Sequence, residues 1–260
     1  MKYHTAGASF WLCLLVGGVS LFPNNSDAFT PLPTPMTQHQ QQRSSLLPSN
    51  DNVIVDKKGG RGGKMSPLFM DLTKFPRQVY TDIETPIEAM PKLSKALGGK
   101  VNLFVKRDDM LGLTGGGNKT RKLEFVMAQA LAEGYDTIVT CGAVQSNHCR
   151  LTLSACNKEG LKCVLVMEER VPGSYNENAS GNNYLFRLLG AEEITPVGLG
   201  EAPSKMEEKA EEYRAKGRKV LVVPGGASNE IGATGYCSCA AEIQVRFISA
   251  DVFDFWLLLF

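Results

Sequence analysis

TIVTCGAVQSNHCRLTLSACNKEGLKCVLVM, residues 137–167, reads as one strand–helix–strand unit. TIVT (137–140) and CVLVM (163–167) are short, β-rich, mostly apolar runs, which suits strands of a parallel sheet buried on both faces. Between them Cys149, Leu153 and Cys156 recur at helical spacing, and Gly160 ends the pattern. A helix joining two such strands is a parallel crossover.

The same alternation extends in both directions. VNLFV (101–105) and VLVV (220–223) are further strand-like runs. Leu123, Val126, Met127, Ala130 and Leu131 form an apolar helical stripe ending near Gly134, and Met206, Ala210 and Tyr213 form another before Gly217. Strands alternating with helices of this length predict an α/β protein, with parallel sheets covered by helices on both faces. Neither an internal repeat nor a GxGxxG motif is present.

The chain has 260 residues, 43% hydrophobic and 21% charged, with a net charge of +1. That composition is ordinary for a soluble globular protein and points to neither nucleic acid nor a membrane surface as partner. Seven cysteines, at 13, 141, 149, 156, 163, 237 and 239, sit mostly in apolar or helical stretches. They read as buried free thiols in a reducing compartment rather than a disulfide framework. Cys237 and Cys239 lack a matching histidine set, since the three histidines fall at 4, 39 and 148, so no metal is expected.

Residues 1–28 have the layout of a signal peptide: Lys2 and His4, the thirteen-residue apolar run 10–22, then small polar residues to Ala28. The run is too short to span a bilayer, so no membrane association is expected of the mature form. Residues 29–66 are rich in Pro, Gln, Ser and Thr. They carry Arg43, Lys57, Lys58, Arg61 and Lys64 against only Asp51 and Asp56, the composition of a disordered transit segment. The join SDAFTP (26–31) resembles the cleavage site of bipartite leaders in algae whose plastids are reached through the secretory pathway. A plastid is therefore the expected destination, with plain secretion as the alternative.

Chemistry concentrates where strands end and helices begin, the usual ligand side of an open α/β sheet. GGGNKTRKLEF (115–125) leads three glycines into a helix, so its amides can approach an anion closely. Asn118 is placed to cap that helix and Lys119 falls in its first turn, where the helix dipole disfavours the ammonium form. A lysine so placed is suited to Schiff-base chemistry, and Lys122 on the same face can reach a phosphate. In CGAVQSNHCR (141–150), Ser146 and Asn147 open a helix whose first amides can hold a carboxylate. PGGASNEIGATGY (224–236) repeats the strand-to-glycine-turn pattern. Each loop alone has a plainer reading, a basic first turn or ordinary capping by Ser or Asn. Three together predict a ligand with several negative groups.

GGGNKTRKLEF, GAVQSNHCRLTL, ERVPGSY with SGNNYLFRLLGAE, and GGASNEIGATGY closely resemble the D-cysteine desulfhydrase and 1-aminocyclopropane-1-carboxylate deaminase family, over roughly residues 72–243. The resemblance implies the tryptophan-synthase-β-like fold (fold type II), pyridoxal 5'-phosphate as cofactor, a small amino acid as substrate, and a homodimer at full length. It implies that Lys119 forms the internal aldimine and serves as base. Asn147 would bond the cofactor's 3'-oxygen, Lys122 would approach its phosphate, and Asn118 would join them in the cofactor site. Ser146, with the backbone amides of Asn147 and His148, would hold the substrate carboxylate, and Ser146 is also a candidate proton relay. The expected reaction is that of an amino-acid lyase, D-cysteine giving pyruvate, hydrogen sulfide and ammonia. L-Cysteate sulfo-lyase and 1-aminocyclopropane-1-carboxylate deaminase are the alternatives, the first favoured by the stretch from GAVQSNHCRLTL to ERVPGSY.

Family members continue past the position of Ile243, whereas QVRFISADVFDFWLLLF (244–260) shows no likeness. The expected organisation is therefore 67–120 as the first part of a large domain, 121–225 as a small α/β domain and 226–243 as the return to the large one. Residues 244–260 are a foreign tail in that scheme. It leaves the second domain incomplete and the cofactor's phosphate cradle outside the chain. A different class of reading follows as well, a fragment without activity of its own.

Overall fold

The alternation read from the sequence is realised element by element. The computed structural model describes residues 72–248 and 255–259. The expected leader segments, 1–28 and 29–66, lie outside the described residues. Leu72–Lys74 form a single 3-10 turn and belong to a unit apart from the body that starts at Phe75. That body runs β1 (Ile87–Ala89), α1 (Pro91–Ala96), β2 (Asn102–Lys106), α2 (Lys119–Ala132), β3 (Thr137–Ala143), α3 (Asn147–Glu159) and β4 (Lys162–Glu169). It continues with α4 (Asn182–Leu188), β5 (Glu193–Gly198), α5 (Ala202–Ala215), β6 (Val220–Val223), α6 (Glu230–Ile248) and β7 (Phe255–Leu259).

Four strands form a parallel sheet in the order β5-β4-β3-β6. Its central strands, β4 and β3, are buried on both faces, and successive residues go to opposite sides. Ile138, Leu165 and Met167 pack with Leu123, Val126, Met127, Leu151, Leu153 and Phe186 from α2, α3 and α4. Val139, Val164 and Val166 pack with Met206, Ala210 and Tyr213 from α5. This period of two explains why β3 and β4 read as unbroken apolar runs.

Three features depart from the expectation. β5, EITPVG, carries a proline and a glutamate that hide it from a hydrophobicity reading. It is an edge strand, where a missing N–H is tolerated. β1 is a three-residue strand antiparallel to β2, so the smaller sheet, β1-β2-β7, is mixed rather than parallel. The third lies at the boundary placed at 243/244, which falls inside a helix. α6 runs through it to Ile248, and β7 pairs in parallel with β2 from Asn102↔Phe255 to Lys106↔Leu259. The physical reason is that an apolar FWLLL run supplies the ladder partner that the second edge of β2 needs. The boundary placed at 120/121 likewise falls inside α2.

A buried ionic cluster sets the attitude of α2. Arg121 holds Asp108 with two bonds, 2.7 and 2.8 Å, and Glu242 on α6 with two more, 2.7 and 2.9 Å. Lys106, 1% exposed, donates to the same Glu242 and to the Thr85 carbonyl, each at 2.5 Å. Burial works against the Arg121 charge, but the bonds to Asp108 and Glu242 outweigh it and leave the guanidinium more firmly protonated than usual. Glu242 is likewise penalised by burial and then held below the usual carboxylate range by Arg121 and Lys106. On the same helix Glu124 accepts from the Tyr80 amide at 2.9 Å and from Arg77 Nε at 2.6 Å. Four charges and their partners thus fix the first turn of α2, where Lys119 sits.

Candidate functional site

Lys119 is the first residue of α2 and is half-buried. Asn118 stands at the cap position but makes no capping bond. Its Oδ1 accepts instead from Lys119 Nζ at 3.4 Å. Burial pushes the Lys119 ammonium below the ordinary lysine range. The expected depression is therefore present, with loss of water on burial as its cause. Lys122, one turn on, is buried and donates to Ser228 Oγ at 3.0 Å, with the Tyr236 ring 5.6 Å from its ammonium. Burial first, and the charge on Lys119 second, bring it down to about 8.

Ser146 is the N-cap of α3, and its Oγ accepts from the Cys149 amide at 3.2 Å. The plain capping reading is thus real, and Gly142 leaves the space that the hydroxyl occupies. The amides of Asn147 and His148, in the first turn, have no acceptor within the helix. The two side chains part company here. Asn147 is exposed at the turn, whereas the His148 ring is buried against Thr140 and Thr152, so only its main chain can meet a ligand. Thr140 gives its one hydroxyl hydrogen to the Val223 carbonyl, so at 2.8 Å His148 Nε2 must be the donor. Burial, then Lys119 and Lys122, push this ring down to about 3, so it stays neutral.

The three loops converge. A Cβ placed on Gly226 would lie 3.5 Å from Lys119 Cε, so the third loop borders the lysine directly. Buried Arg150 on α3 donates to the carbonyls of Thr114 and Gly116, the latter at 3.1 Å, and to Asn147 Oδ1 at 3.3 Å. It thereby ties the glycine turn before Lys119 to the turn before α3. The two non-glycine residues with left-handed backbone among those described, Leu113 (φ 75°) and Ala227 (φ 48°), both lie in these loops. Such strain collects at functional sites. Among the described residues no carboxylate pairs with Lys119, Lys122 or Arg150. A cluster of partly desolvated cations without counter-charges fits an anionic ligand.

A profile described as "Pyridoxal-phosphate dependent enzyme" matches residues 80–255, more than half of the chain. The chain belongs to the pyridoxal-phosphate dependent enzymes. The match runs past residue 243 and so takes in much of the stretch expected to be foreign. Among curated relatives, D-cysteine desulfhydrase of Klebsiella pneumoniae subsp. pneumoniae is 42% identical over 176 residues, covering 67% of this chain and 53% of the relative. The enzyme of the same name from Yersinia enterocolitica is 43% identical over 177 residues, covering 67% and 53%. The chain thus spans about half the length of the curated relatives it matches. Among solved structures, an ACC deaminase homologue superimposes with a TM-score of 0.59 at 38% identity, covering 67% of this chain and 52% of that one. The motif resemblance and the α/β fold are borne out together.

The residues of this pyridoxal-phosphate dependent enzyme fit its cofactor. An amine with a depressed pKa, Lys119, stands beside a second cation, Lys122, whose hydrogen-bond partner is a hydroxyl rather than a carboxylate. Tyr236 adds a buried hydroxyl without a hydrogen-bond partner, and burial pushes its pKa well above the ordinary range. The Gly225–Ala227 turn and Ser228 stand against both lysines at the start of α6. Sequence reasoning quoted this loop without choosing a residue from it. The available signal was a serine placed between a strand-end glycine turn and a helix, the position occupied by Ser146 in the second loop.

Proposed function

We propose that this chain carries the lysine-bearing part of a pyridoxal-phosphate dependent amino-acid lyase, and that the whole protein releases sulfide, pyruvate and ammonia from D-cysteine. The observation that carries the reading is Lys119, an amine half-buried between the Asn118 side chain and the Gly226 turn, with its pKa lowered by burial. When bound, pyridoxal phosphate supplies an electron sink for the pair left at Cα after proton removal. Lys122 Nζ, Ser228 Oγ and the amides of the 225–228 turn would hold its phosphate, and Asn147 its 3'-oxygen. The amides of Asn147 and His148, with Ser146, would hold the substrate carboxylate. Lys119 Nζ, its ammonium form disfavoured by burial, takes the proton from Cα. The His148 ring, neutral and packed on two threonines, takes no part in proton transfer.

D-Cysteine is favoured because relatives more than 40% identical bear that name. Incubation of the full-length protein with D-cysteine should release sulfide, with Lys119→Ala abolishing both turnover and the borohydride-reducible yellow adduct. A reducible adduct persisting in Lys119→Ala overturns the lysine assignment. Sulfite from L-cysteate, or 2-oxobutanoate from 1-aminocyclopropane-1-carboxylate, in place of sulfide would select the alternative substrates. An adduct without turnover of any of the three would favour the non-catalytic reading.

The routing of the protein to a plastid, with secretion as alternative, is supported by the leader composition and by the free cysteines of the body. Residues 1–66 fused to a fluorescent protein should label plastids, and cytosolic fluorescence would refute the assignment. A homodimeric assembly rests on the family resemblance.

A further inference from the structure

The chain just before α4 crosses the turn between β3 and α3, and polar side chains lace the two together. Gln145 Oε1 accepts from the Asn182 amide at 2.8 Å, while its Nε2 donates to the Ser180 carbonyl at 3.1 Å. Gly181 makes the approach possible: its φ is +71°, and a Cβ there would fall 2.7 Å from Gln145 Oε1. The Asn182 side chain completes the lace, with Nδ2 donating at 2.8 Å to the Gln145 carbonyl and at 2.8 Å to Asn147 Oδ1.

These partners decide which way the Asn147 amide faces, a matter that shape alone leaves open. A main-chain carbonyl only accepts, so the Asn182 atom facing Gln145 O is Nδ2, and its second hydrogen meets Asn147. Arg150 imposes the same orientation independently. A guanidinium has donors and no acceptor, and Nη2 lies 3.3 Å from the same Oδ1. With Oδ1 engaged by two donors, the amide carries Nδ2 on its other side, as a donor on an exposed residue.

We propose that Asn182 is a positioning residue of the cofactor site, holding the Asn147 amide so that its Nδ2 donates to the ring oxyanion of pyridoxal phosphate. The inference rests on the cofactor reading above. A flipped Asn147 would turn lone pairs toward that oxyanion and lose a charge-assisted bond.

The test uses the 260-residue chain. Asn182→Asp replaces the donor by an acceptor, which bonds Asn147 only if that amide flips. The variant should raise the Kd for pyridoxal phosphate about tenfold or more and shift the visible maximum of the bound cofactor. In an Asn147→Ala background the same substitution should change neither quantity. Asn182→Ala, which leaves the Arg150 donor in place, should show the same coupling with a smaller factor, and it decides the matter where the aspartate variant fails to fold. Equal weakening in both backgrounds, with no spectral shift, would mean that Asn182 only docks its loop, and the proposal would fall. Side-chain amide NMR of the ligand-free chain reads the orientation directly: the Asn182 NH2 protons should be protected from exchange and those of Asn147 open to water. The reverse pattern overturns the proposal whether or not cofactor binds. Absence of any Lys119-dependent absorbance overturns the cofactor reading, and the proposal with it. An intact NMR pattern would then show which of the two had failed.

Discussion

Successive residues of α2 carry buried charge in two opposite conditions. Arg121 and its neighbour Lys106 face Asp108 and Glu242, two cations against two carboxylates, closed by bonds of 2.5–2.9 Å. Lys119 and Lys122, on either side of Arg121 in sequence, face a glycine turn, two serine- or asparagine-type oxygens and each other, with no carboxylate partner among the described residues. The first arrangement is complete without a ligand and resists both protonation and loss of charge. The second is left electrostatically open, and the depressed pKa of both lysines records it. Balanced burial marks the scaffold, and unbalanced burial marks the place where an anion binds.

The largest test of this contrast is Arg121→Met. Removing one member of a closed buried cluster leaves Asp108 with the Thr85 hydroxyl alone and Glu242 with Lys106 alone, and the chain should lose about 3–5 kcal/mol of stability, read from its urea midpoint. A loss below about 1 kcal/mol would erase the distinction between the two sides.

Lys122→Met probes the open side and should behave in the opposite way. Stability of the ligand-free chain should stay within about 0.5 kcal/mol or rise, because no partner is orphaned except the Ser228 hydroxyl. Affinity for pyridoxal phosphate should meanwhile fall about tenfold or more. The pH dependence sharpens the point. Lys122 titrates near about 8 in the ligand-free fold against 10.5 for a free lysine, so the unfolded chain binds more protons between those values. Its contribution to stability therefore rises with pH across that window. Phosphate affinity has the opposite sign, highest below about 8 and falling above it as the ammonium discharges. Isothermal titration with inorganic phosphate across this range measures it, and a flat profile would remove Lys122 from the anion site.

Ser146→Ala should lower stability modestly, by about 1 kcal/mol for a lost N-cap. If the hydroxyl also serves the substrate, turnover of the full-length protein should fall by more than cofactor retention does. Matching losses of the two would confine Ser146 to capping.

Much of this was legible before any coordinates. β3, β4 and β6 were visible as β-rich runs, α2 and α3 as apolar stripes, and the three loaded loops as glycine or capping residues after strands. Lys119 stood out because it follows a glycine turn at the start of a helix. β5 was hidden because an edge strand tolerates Pro196 and Glu193. The continuation of α6 past residue 244 was hidden because only the pairing of β7 with β2 gives the last residues a role. Asn182 and Ser228 were invisible as site residues, since their partners lie 35 and 106 positions away.

The amino-acid sequence by itself determined the repeating strand–helix order, the glycine turns at the strand ends and the placement of an amine at a helix start. These follow from local spacing and backbone freedom, which need no distant partner. Only the tertiary structure decided which buried charges are neutralised, which way the Asn147 amide faces, and that burial makes Lys119 lose its proton more readily. Those properties depend on side chains brought together from far along the chain and on the water that their packing excludes, and neither is written in any local stretch of sequence.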